Sequence, residues 1–290
     1  MKKFIINIFY FLSILVVLNT ILNHYGNELY LGSYKEHALD FHSYLLSDSR
    51  GLPLKTHTET YGVYNFSAES DSYMDMKRKL NYLIKYTKVD TIYLTVDDHT
   101  LSPYREGSNN LDRSIYYATQ EDYPNSFQYF KDKLLFNIAL LQPKKRTILK
   151  NHITSYFKSD SNQINNRAIK SWEQLSEVER LADANIRFEY QHPDSYNSEQ
   201  LISHLEAIIK LCNDHNITLI GIQYPLTRDY LELTRNVSHG ASELFTKKGL
   251  KVLDYRTIFI NNNDYFSNQD HLNDKGGKEL IPLLFDQQSD

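Results

Sequence analysis

The first feature along the chain is an apolar run over residues 4–22, which is long enough to cross the hydrocarbon core of a bilayer as a helix. It is broken only by Asn7, Ser13, Asn19 and Thr20. Two basic residues, Lys2 and Lys3, precede it, and the positive-inside rule places them in the cytoplasm. The pattern therefore predicts a membrane anchor over residues 1–23, with everything after it on the extracytoplasmic side of the cytoplasmic membrane.

A cleaved signal peptide is the main alternative to an uncleaved anchor. Cleavage requires a site of small residues after the apolar run, and the sequence of residues 19–24, Asn-Thr-Ile-Leu-Asn-His, offers none. The uncleaved anchor is therefore favoured. A buried helix of a soluble, cytosolic hydrolase is a further alternative, and it would require the first 22 residues not to be an anchor.

Short apolar runs and helical spacings follow a polar and aromatic segment, residues 24–40, that we interpret as a tether. Strands are predicted at 41–46, 63–66 and 90–96, where the last run is rich in β-branched residues. A helix is predicted at 72–86, because its apolar residues recur at helical intervals. The first part of the chain after the tether thus alternates between strand and helix.

The segment over residues 100–195 is less regular, with predicted helices at 127–141 and 174–186 separated by polar loops. We interpret it as a mainly helical insertion. The alternation then resumes, and the predicted elements are helix 198–213, strand 218–223, helix 229–247, strand 250–254 and helix 273–285.

Strands that alternate with helices predict a parallel sheet covered on both faces. The expected architecture is a three-layer α/β domain of the flavodoxin-like type over residues 41–290, interrupted by the insertion. In such sheets ligands bind at the carboxyl ends of the strands. Three predicted strand ends bring polar groups to that edge: Ser49, residues 97–99 and Tyr224.

Composition narrows the function classes. The 290 residues carry a net charge of −4, and the basic residues are spread along the chain as a whole, which disfavours nucleic-acid binding. Cys212 is the only cysteine, so no intrachain disulfide can form.

Ser49 and His271, near opposite ends of the chain, are the strongest candidates for chemistry. A serine hydroxyl becomes a good nucleophile only when a base removes its proton and a third group orients that base. Ser49 follows a predicted strand, and His271 lies just before the last predicted helix. The alternative interpretation is structural, because Asp48 and Ser49 are also favoured residues for capping a helix that begins near Arg50.

The sequence around both residues resembles the SGNH (GDSL-like) superfamily of esterases and acyltransferases. Residues 47–49, Ser-Asp-Ser, stand where that family has Gly-Asp-Ser, and Ser49-Arg50 resembles its membrane-linked members. At the other end His271-Leu272-Asn273 matches the family block, with Gly276 after it and Phe266 before it. The resemblance implies Ser49 as nucleophile and His271 as general base and then general acid.

One position departs from the family pattern. Three residues before His271 the chain has Asn268, where the family has aspartate, whereas Asp270 directly precedes the histidine. Three interpretations stay open: Asn268 orients the ring through its carbonyl oxygen, Asp270 supplies a carboxylate, or catalysis has been lost.

The family's oxyanion donors are the nucleophile's own amide, a glycine amide in a second block and an asparagine side chain in a third. The second block, residues 64–71, lacks the glycine, which leaves the backbone amide of Glu69 or Ser70 as a donor. The third falls near Asp98, whose carboxylate would repel an oxyanion, so His99 is the better candidate there. Arg50 and Arg105 are candidate contacts for an anionic substrate, although a salt-bridged arginine is the commoner case.

No metal site and no cofactor are expected, because two carboxylates and an imidazole at consecutive positions 97–99 cannot all point the same way on a strand. The resemblance implies O-acyl transfer to, or removal from, a cell-surface polysaccharide. A membrane-bound acyltransferase or an export complex is the expected protein partner. The rival hypothesis is a catalytically degenerate SGNH-like module that binds glycan or scaffolds envelope polysaccharide assembly.

Overall fold

A computed structural model describes residues 1–157, 170–235, 237 and 239–286. The strands are β1 (Ser43–Leu46), β2 (Val63–Asn65), β3 (Thr91–Thr95), β4 (Thr218–Gln223), β5 (Lys251–Asp254), β6 (Phe266–Asn268) and β7 (His271–Leu272). The α-helices are α1 (Lys2–Leu31), α2 (Tyr73–Tyr86), α3 (Tyr104–Gly107), α4 (Leu111–Ser114), α5 (Ser126–Asn137), α6 (Pro143–Phe157), α7 (Glu177–Gln191), α8 (Glu199–Asp214), α9 (Arg228–Thr234), α10 (Ala241–Lys247) and α11 (Asp274–Phe285). The chain forms two compact units: residues 1–36 with 112–167, and residues 37–111 with 168–290.

The first unit, the helical unit, is built around α1, which is long and apolar enough to span a membrane. Its apolar side chains from Phe4 to Leu18 are exposed. The helix does not end at the predicted tether but continues to Leu31. Packing within the unit stabilises this extension, because Tyr30 and Leu31 are buried and Gly26 lies against the side chain of Leu149 on α6.

The second unit, the α/β unit, contains a five-stranded parallel sheet in the order β2-β1-β3-β4-β5. This confirms the predicted α/β class and is compatible with a three-layer domain. Successive residues of β1, β3 and β4 are buried, so both faces of the sheet are covered. One face packs against the apolar side of α11, which carries Leu280, Ile281 and Leu284.

Two helical predictions need correction. The helix predicted at 229–247 is wrong, because α9 ends at Thr234 and α10 begins at Ala241. Gly240 precedes α10 with a φ of 69°, a left-handed conformation that favours glycine and interrupts a continuous helix. The helix predicted at 174–186 begins three residues later and extends to Gln191. It belongs to the α/β unit and packs against α9.

The strand ends meet at one edge of the sheet as predicted. Ser49 follows β1, Asp97 follows β3 and Tyr224 follows β4, and these three strands are neighbours. The order in which the strands were added changes direction at β1, because β2 lies on one side of β1 and β3 lies on the other side. Such a switch point is where open parallel sheets form ligand crevices.

Candidate active site

Ser49 lies in a tight turn at the end of β1. The turn closes through a hydrogen bond from the Gly51 amide to the Asp48 carbonyl oxygen at 3.1 Å. The Asp48 carboxylate also accepts from the Arg50 amide at 3.0 Å, which is the local bond that favours aspartate in turns. The helical turns that follow begin at Leu52 with Gly51 as the N-cap and no side-chain capping bond, so the capping role suggested for Asp48 and Ser49 is not observed. The Ser49 hydroxyl is partly exposed and lines a cavity.

His271 is presented by a short antiparallel hairpin of β6 and β7, immediately before α11. Asn273 fixes the junction, since its side chain accepts from the Gly276 amide at 3.0 Å and donates to the Asp264 carbonyl oxygen at 2.8 Å. A Cβ atom on Gly277 would lie 2.3 Å from the carbonyl oxygen of Pro53. The glycine thus allows α11 to approach the segment that follows Ser49 closely.

This approach brings together two residues that are 222 positions apart. The Ser49 Oγ and His271 Nε2 atoms lie 2.6 Å from each other. On the other side of the ring, Nδ1 faces two oxygen atoms, Oδ1 of Asn268 and Oδ1 of Asp270, each at 2.9 Å. Because both are acceptors, the ring proton belongs on Nδ1, which leaves Nε2 free to accept from the Ser49 hydroxyl.

Asp270 is fully buried, and three donors hold its second oxygen. Oδ2 accepts from Arg50 Nη2 at 3.1 Å, from Arg187 Nε at 3.1 Å and from Gln191 Nε2 at 3.0 Å. Burial acts to raise the pKa of Asp270, but the attraction of His271, Arg50 and Arg187 outweighs it and keeps that pKa well below its usual range. The carboxylate is therefore ionised and fixed, with one oxygen left for the imidazole.

Two of the three interpretations, orientation of the ring by Asn268 and by Asp270, are thus geometrically satisfied at once, and their contributions can be separated by substitution. We expect Asp270→Asn to lower kcat for ester hydrolysis by about 10³-fold or more, because the amide removes the charge that stabilises the imidazolium. Asn268→Ala should lower it by only about 10-fold, because the carboxylate remains. Steady-state kinetics of both variants decide the point; a larger loss for Asn268→Ala would assign the orienting role to the amide.

Arg50 connects Asp270 to the residues that follow β3. Its side chain is buried and pairs with Asp97 through Nη1 at 3.0 Å as well as with Asp270. Burial raises the pKa of Asp97 to about 6, against the opposing effect of Arg50. The guanidinium group of Arg50 is therefore paired with carboxylates of the protein itself. Arg105 is paired in the same way: it contacts Asp48 at 3.7 Å and donates to the backbone of Asp71.

His99 lines the cavity, but its Nε2 atom faces the Asp48 carboxylate at 2.9 Å. Burial lowers the pKa of His99 to about 3, and the positive charge of Arg50 adds to the effect, although Asp48 acts in the opposite direction. His99 is therefore neutral and donates to Asp48. Its Nε2 proton is hydrogen-bonded to the Asp48 carboxylate, so His99 supports the turn that carries Ser49.

This neutral histidine predicts a pH-dependent stability. The folded pKa of about 3 is below the unfolded value of about 6.5, so the contribution of His99 is fully present above pH 6.5 and is lost as the pH falls toward 3. Relative to His99→Gln, which keeps a donor for Asp48, the wild type should lose about 2 kcal/mol between pH 7 and pH 5. Urea unfolding of both proteins in detergent measures the difference; a pH-independent gap would show that His99 is not held neutral.

The second block supplies a backbone amide in an unusual conformation. Ser70, within residues 64–71, has a φ of 67°, in the left-handed region that favours glycine. Among the described residues, the amides of Ser49 and Ser70 have no hydrogen-bond acceptor, and both residues line the cavity. Both amides are thus available to a developing oxyanion.

Asp98 does not join the site. Its carboxylate pairs with Arg256 at 3.2 Å and accepts from Gln223, and it is absent from the cavity lining. The geometry provides no reason to assign Asp98 to oxyanion or substrate binding. Of the other predicted residues, Ser49, Arg50, Ser70, His99, Asn268 and His271 line the cavity, and Asp270 lies directly behind His271.

The cavity has a volume of about 1080 Å³ and lies entirely within the α/β unit. One wall is aromatic, with the rings of Tyr104 and Tyr190 5.3 Å apart between centroids. The sequence does not predict this wall or the α7 residues Arg187 and Gln191, because no local sequence pattern distinguishes them. Their only signal is the position of α7 in three dimensions.

Among the described residues, no group of three or more histidine, cysteine, aspartate or glutamate side chains is placed to hold a metal ion. Comparison with known proteins adds no assignment: no protein-family model matches the chain, and no curated protein matches it.

Proposed function

We propose that this chain is a membrane-anchored O-acyltransferase or esterase of the SGNH type, which acts on cell-surface polysaccharide through an acyl-enzyme on Ser49. The observation that carries the proposal is the contact of 2.6 Å between Ser49 Oγ and His271 Nε2, with a buried, ionised Asp270 behind the ring. A nucleophile, a base and an orienting carboxylate in this order are the parts that serine acyl transfer requires.

In the first half-reaction Ser49 Oγ attacks the carbonyl carbon of an O-acyl ester, and its proton passes to His271 Nε2. The negative charge moves to the carbonyl oxygen, where the amides of Ser49 and Ser70 are available as donors. When the intermediate collapses, the bond to the leaving alcohol breaks, and His271 returns the proton to that oxygen. The acyl group is then held as an ester on Ser49.

In the second half-reaction an acceptor hydroxyl gives its proton to His271 and attacks the acyl carbon of the Ser49 ester. When this intermediate collapses, the bond between the acyl carbon and Ser49 Oγ breaks, and His271 returns the proton to Oγ, which restores the free serine. A sugar hydroxyl as acceptor gives acyl transfer, and water gives hydrolysis. The Tyr104 and Tyr190 wall supports a carbohydrate acceptor, because aromatic faces pack well against the apolar faces of sugar rings. The apolar helix α1 supports a place at a membrane, and Lys2 and Lys3 before it favour an extracytoplasmic α/β unit, on the side where such polysaccharides are found.

A second candidate function is the catalytically degenerate module, which binds glycan or scaffolds envelope polysaccharide assembly. One observation favours it: the third block offers no side-chain oxyanion donor, since Asp98 is paired with Arg256 and His99 is paired with Asp48. Two backbone amides alone would have to stabilise the oxyanion. The two hypotheses differ in whether Ser49 is chemically reactive.

Labelling with a fluorophosphonate probe tests this difference on the full-length protein in membranes. We expect the probe to modify the wild type at Ser49, as mapped by mass spectrometry, and Ser49→Ala to take up none. Ser108→Ala is the matched control, because Ser108 lines the same cavity and should not affect labelling. Equal background labelling of wild type and Ser49→Ala, together with unchanged glycan acylation in cells that carry Ser49→Ala, would favour the non-catalytic module.

A further inference from the structure

The helical unit exposes apolar side chains beyond those of the anchor helix. Five of them, each between 51% and 77% exposed, are Phe127, Phe130, Leu134, Leu140 and Leu141, which we call the apolar patch. The first three are on α5, and the last two are in the 3-10 helix Ala139–Leu141 that follows it. Large exposed apolar residues grouped in this way mark an interaction surface rather than ordinary surface composition.

The α5 members of the patch share one face of the helix. At 3.6 residues per turn, Phe127, Phe130 and Leu134 fall within an arc of about 60°. Phe136 falls on the opposite side and is buried inside the helical unit. The helix therefore has an inner apolar face, which packs within the unit, and a separate outer apolar face that no described residue covers.

Hydrogen bonds fix the end of the patch that carries Leu140 and Leu141 at a definite height along α1. Asn19 donates to the carbonyl oxygen of Asn137 at 3.0 Å and accepts from the Ala139 amide at 3.2 Å. Lys145, which is buried, donates to the side chain of Asn23 at 3.2 Å. The polar residues that interrupt the end of the apolar run in α1 thus serve as the attachment points for the segment that carries Leu140 and Leu141.

That height coincides with the edge of a bilayer. The apolar run over residues 4–22 is about 27 Å long as a helix, close to the roughly 30 Å of a hydrocarbon core. If the run spans the bilayer, Asn19 and Asn23 lie within about one turn of the boundary on the side away from Lys2 and Lys3. Leu140 and Leu141, next to Ala139, are then held at the lipid headgroups.

The charge of the same segment fits an anionic lipid surface. Residues 126–150 contain six basic residues and one acidic residue, although the whole chain has a net charge of −4. Lys131 and Arg146 are exposed, and Lys131 adjoins Phe130. Lys131 is on α5 with the phenylalanines of the patch, and Arg146 is on α6, which follows Leu141. Exposed apolar residues with exposed lysine and arginine nearby are typical of segments that lie in the membrane interface.

We propose that the apolar patch inserts into the outer headgroup region of the same membrane that α1 spans, so that the helical unit is a membrane-interface platform rather than a tether surrounded by water. The occupant of the patch is the lipid bilayer, with anionic phospholipid favoured by the basic residues. This inference rests on the membrane anchoring in the proposed function but not on catalysis by Ser49.

Variants of the full-length protein with one added cysteine, labelled with the environment-sensitive dye NBD, test the platform in vesicles of phosphatidylcholine and phosphatidylglycerol. The probe sites are Leu141→Cys and Phe130→Cys in the patch, Val16→Cys in α1, and Tyr86→Cys at an exposed position of the α/β unit. Cys212 is buried, so the unsubstituted protein serves as the unlabelled control.

We expect blue-shifted emission and protection from aqueous iodide at Leu141 and Phe130, with stronger quenching by lipids labelled near the headgroup than by lipids labelled deep in the chains. The Val16 probe should be quenched most by the deep label, and the Tyr86 probe only by iodide. Patch probes that behave like Tyr86 while Val16 is quenched by lipid would overturn the platform and leave the anchor intact. Iodide quenching at Val16 as well would overturn both the platform and the anchoring.

Discussion

Removing either Ser49 or His271 is expected to lower kcat for ester hydrolysis by about 10⁴- to 10⁶-fold, and removing both should cost no more than removing one. The reason is the shared proton: Ser49 Oγ and His271 Nε2 are 2.6 Å apart and act on the same hydrogen atom. Without His271 the hydroxyl is not activated, and without Ser49 the imidazole has no nucleophile to activate. The two effects therefore overlap rather than add.

The measurement is the steady-state hydrolysis of a chromogenic acetyl ester by full-length wild type, Ser49→Ala, His271→Ala and the double variant. Circular dichroism should show that all four proteins are folded, since both side chains are at the cavity surface rather than in the core. If the two losses multiply in the double variant, Ser49 and His271 act independently, and the shared proton is not the basis of activity. Ser108→Ala, at another serine of the cavity lining, should retain the wild-type rate in the same assay.

The location of this pair could be predicted from sequence because it depends on local patterns. Short apolar runs identify β1 and β3, and parallel strands place their carboxyl ends at one edge. A serine directly after such a run must then lie at that edge. His271 is different, because its partner is 222 residues away along the chain. In the sequence only the resemblance to SGNH blocks links the two residues, whereas in the structure the hairpin of β6 and β7 places His271 beside Ser49.

The electrostatic support of His271 could not be predicted in the same way. Arg187 and Gln191 contact Asp270 from α7, and the sequence contains no periodicity or motif that relates α7 to residue 270. The choice between Asn268 and Asp270 also needed coordinates. Asn268 ends β6 and Asp270 lies in the turn before β7, so the alternation of a strand does not predict where the Asp270 side chain points; here both oxygens reach the Nδ1 atom.

The end of α1 shows a further limit of local patterns. Polar residues after position 23 suggested a tether, because a helix surrounded by water gains little from such a sequence. In the structure these residues form helical turns to Leu31, since Tyr30 and Leu31 are buried in the helical unit. The insertion thus supplies the apolar partner that α1 needs, and that partner lies about a hundred residues further along the chain.

The largest expected effect on stability belongs to Arg50. Replacing it by methionine should lower the free energy of unfolding by about 3–5 kcal/mol, a large part of the 5–15 kcal/mol typical of a folded domain. Arg50 is the cation between the buried carboxylates of Asp97 and Asp270, at 3.0 and 3.1 Å. Methionine of similar length fills the space but leaves Asp97 without its arginine and Asp270 with only one of its two arginines.

Arg187→Met is the matched control, because Arg187 contacts the same oxygen of Asp270 at 3.1 Å from a partly exposed position and should cost only about 1 kcal/mol or less. Arg50→Lys should be intermediate, since a single ammonium group cannot bridge both carboxylates as the planar guanidinium does. Adding Asp97→Asn to Arg50→Met should recover part of the loss by removing one uncompensated charge. If Arg50→Met and Arg187→Met unfold at the same urea concentration in detergent, the buried carboxylates of Asp97 and Asp270 do not depend on Arg50 for their stabilisation. The ionised state of Asp270, on which the proposed chemistry of His271 depends, would then lack its main support.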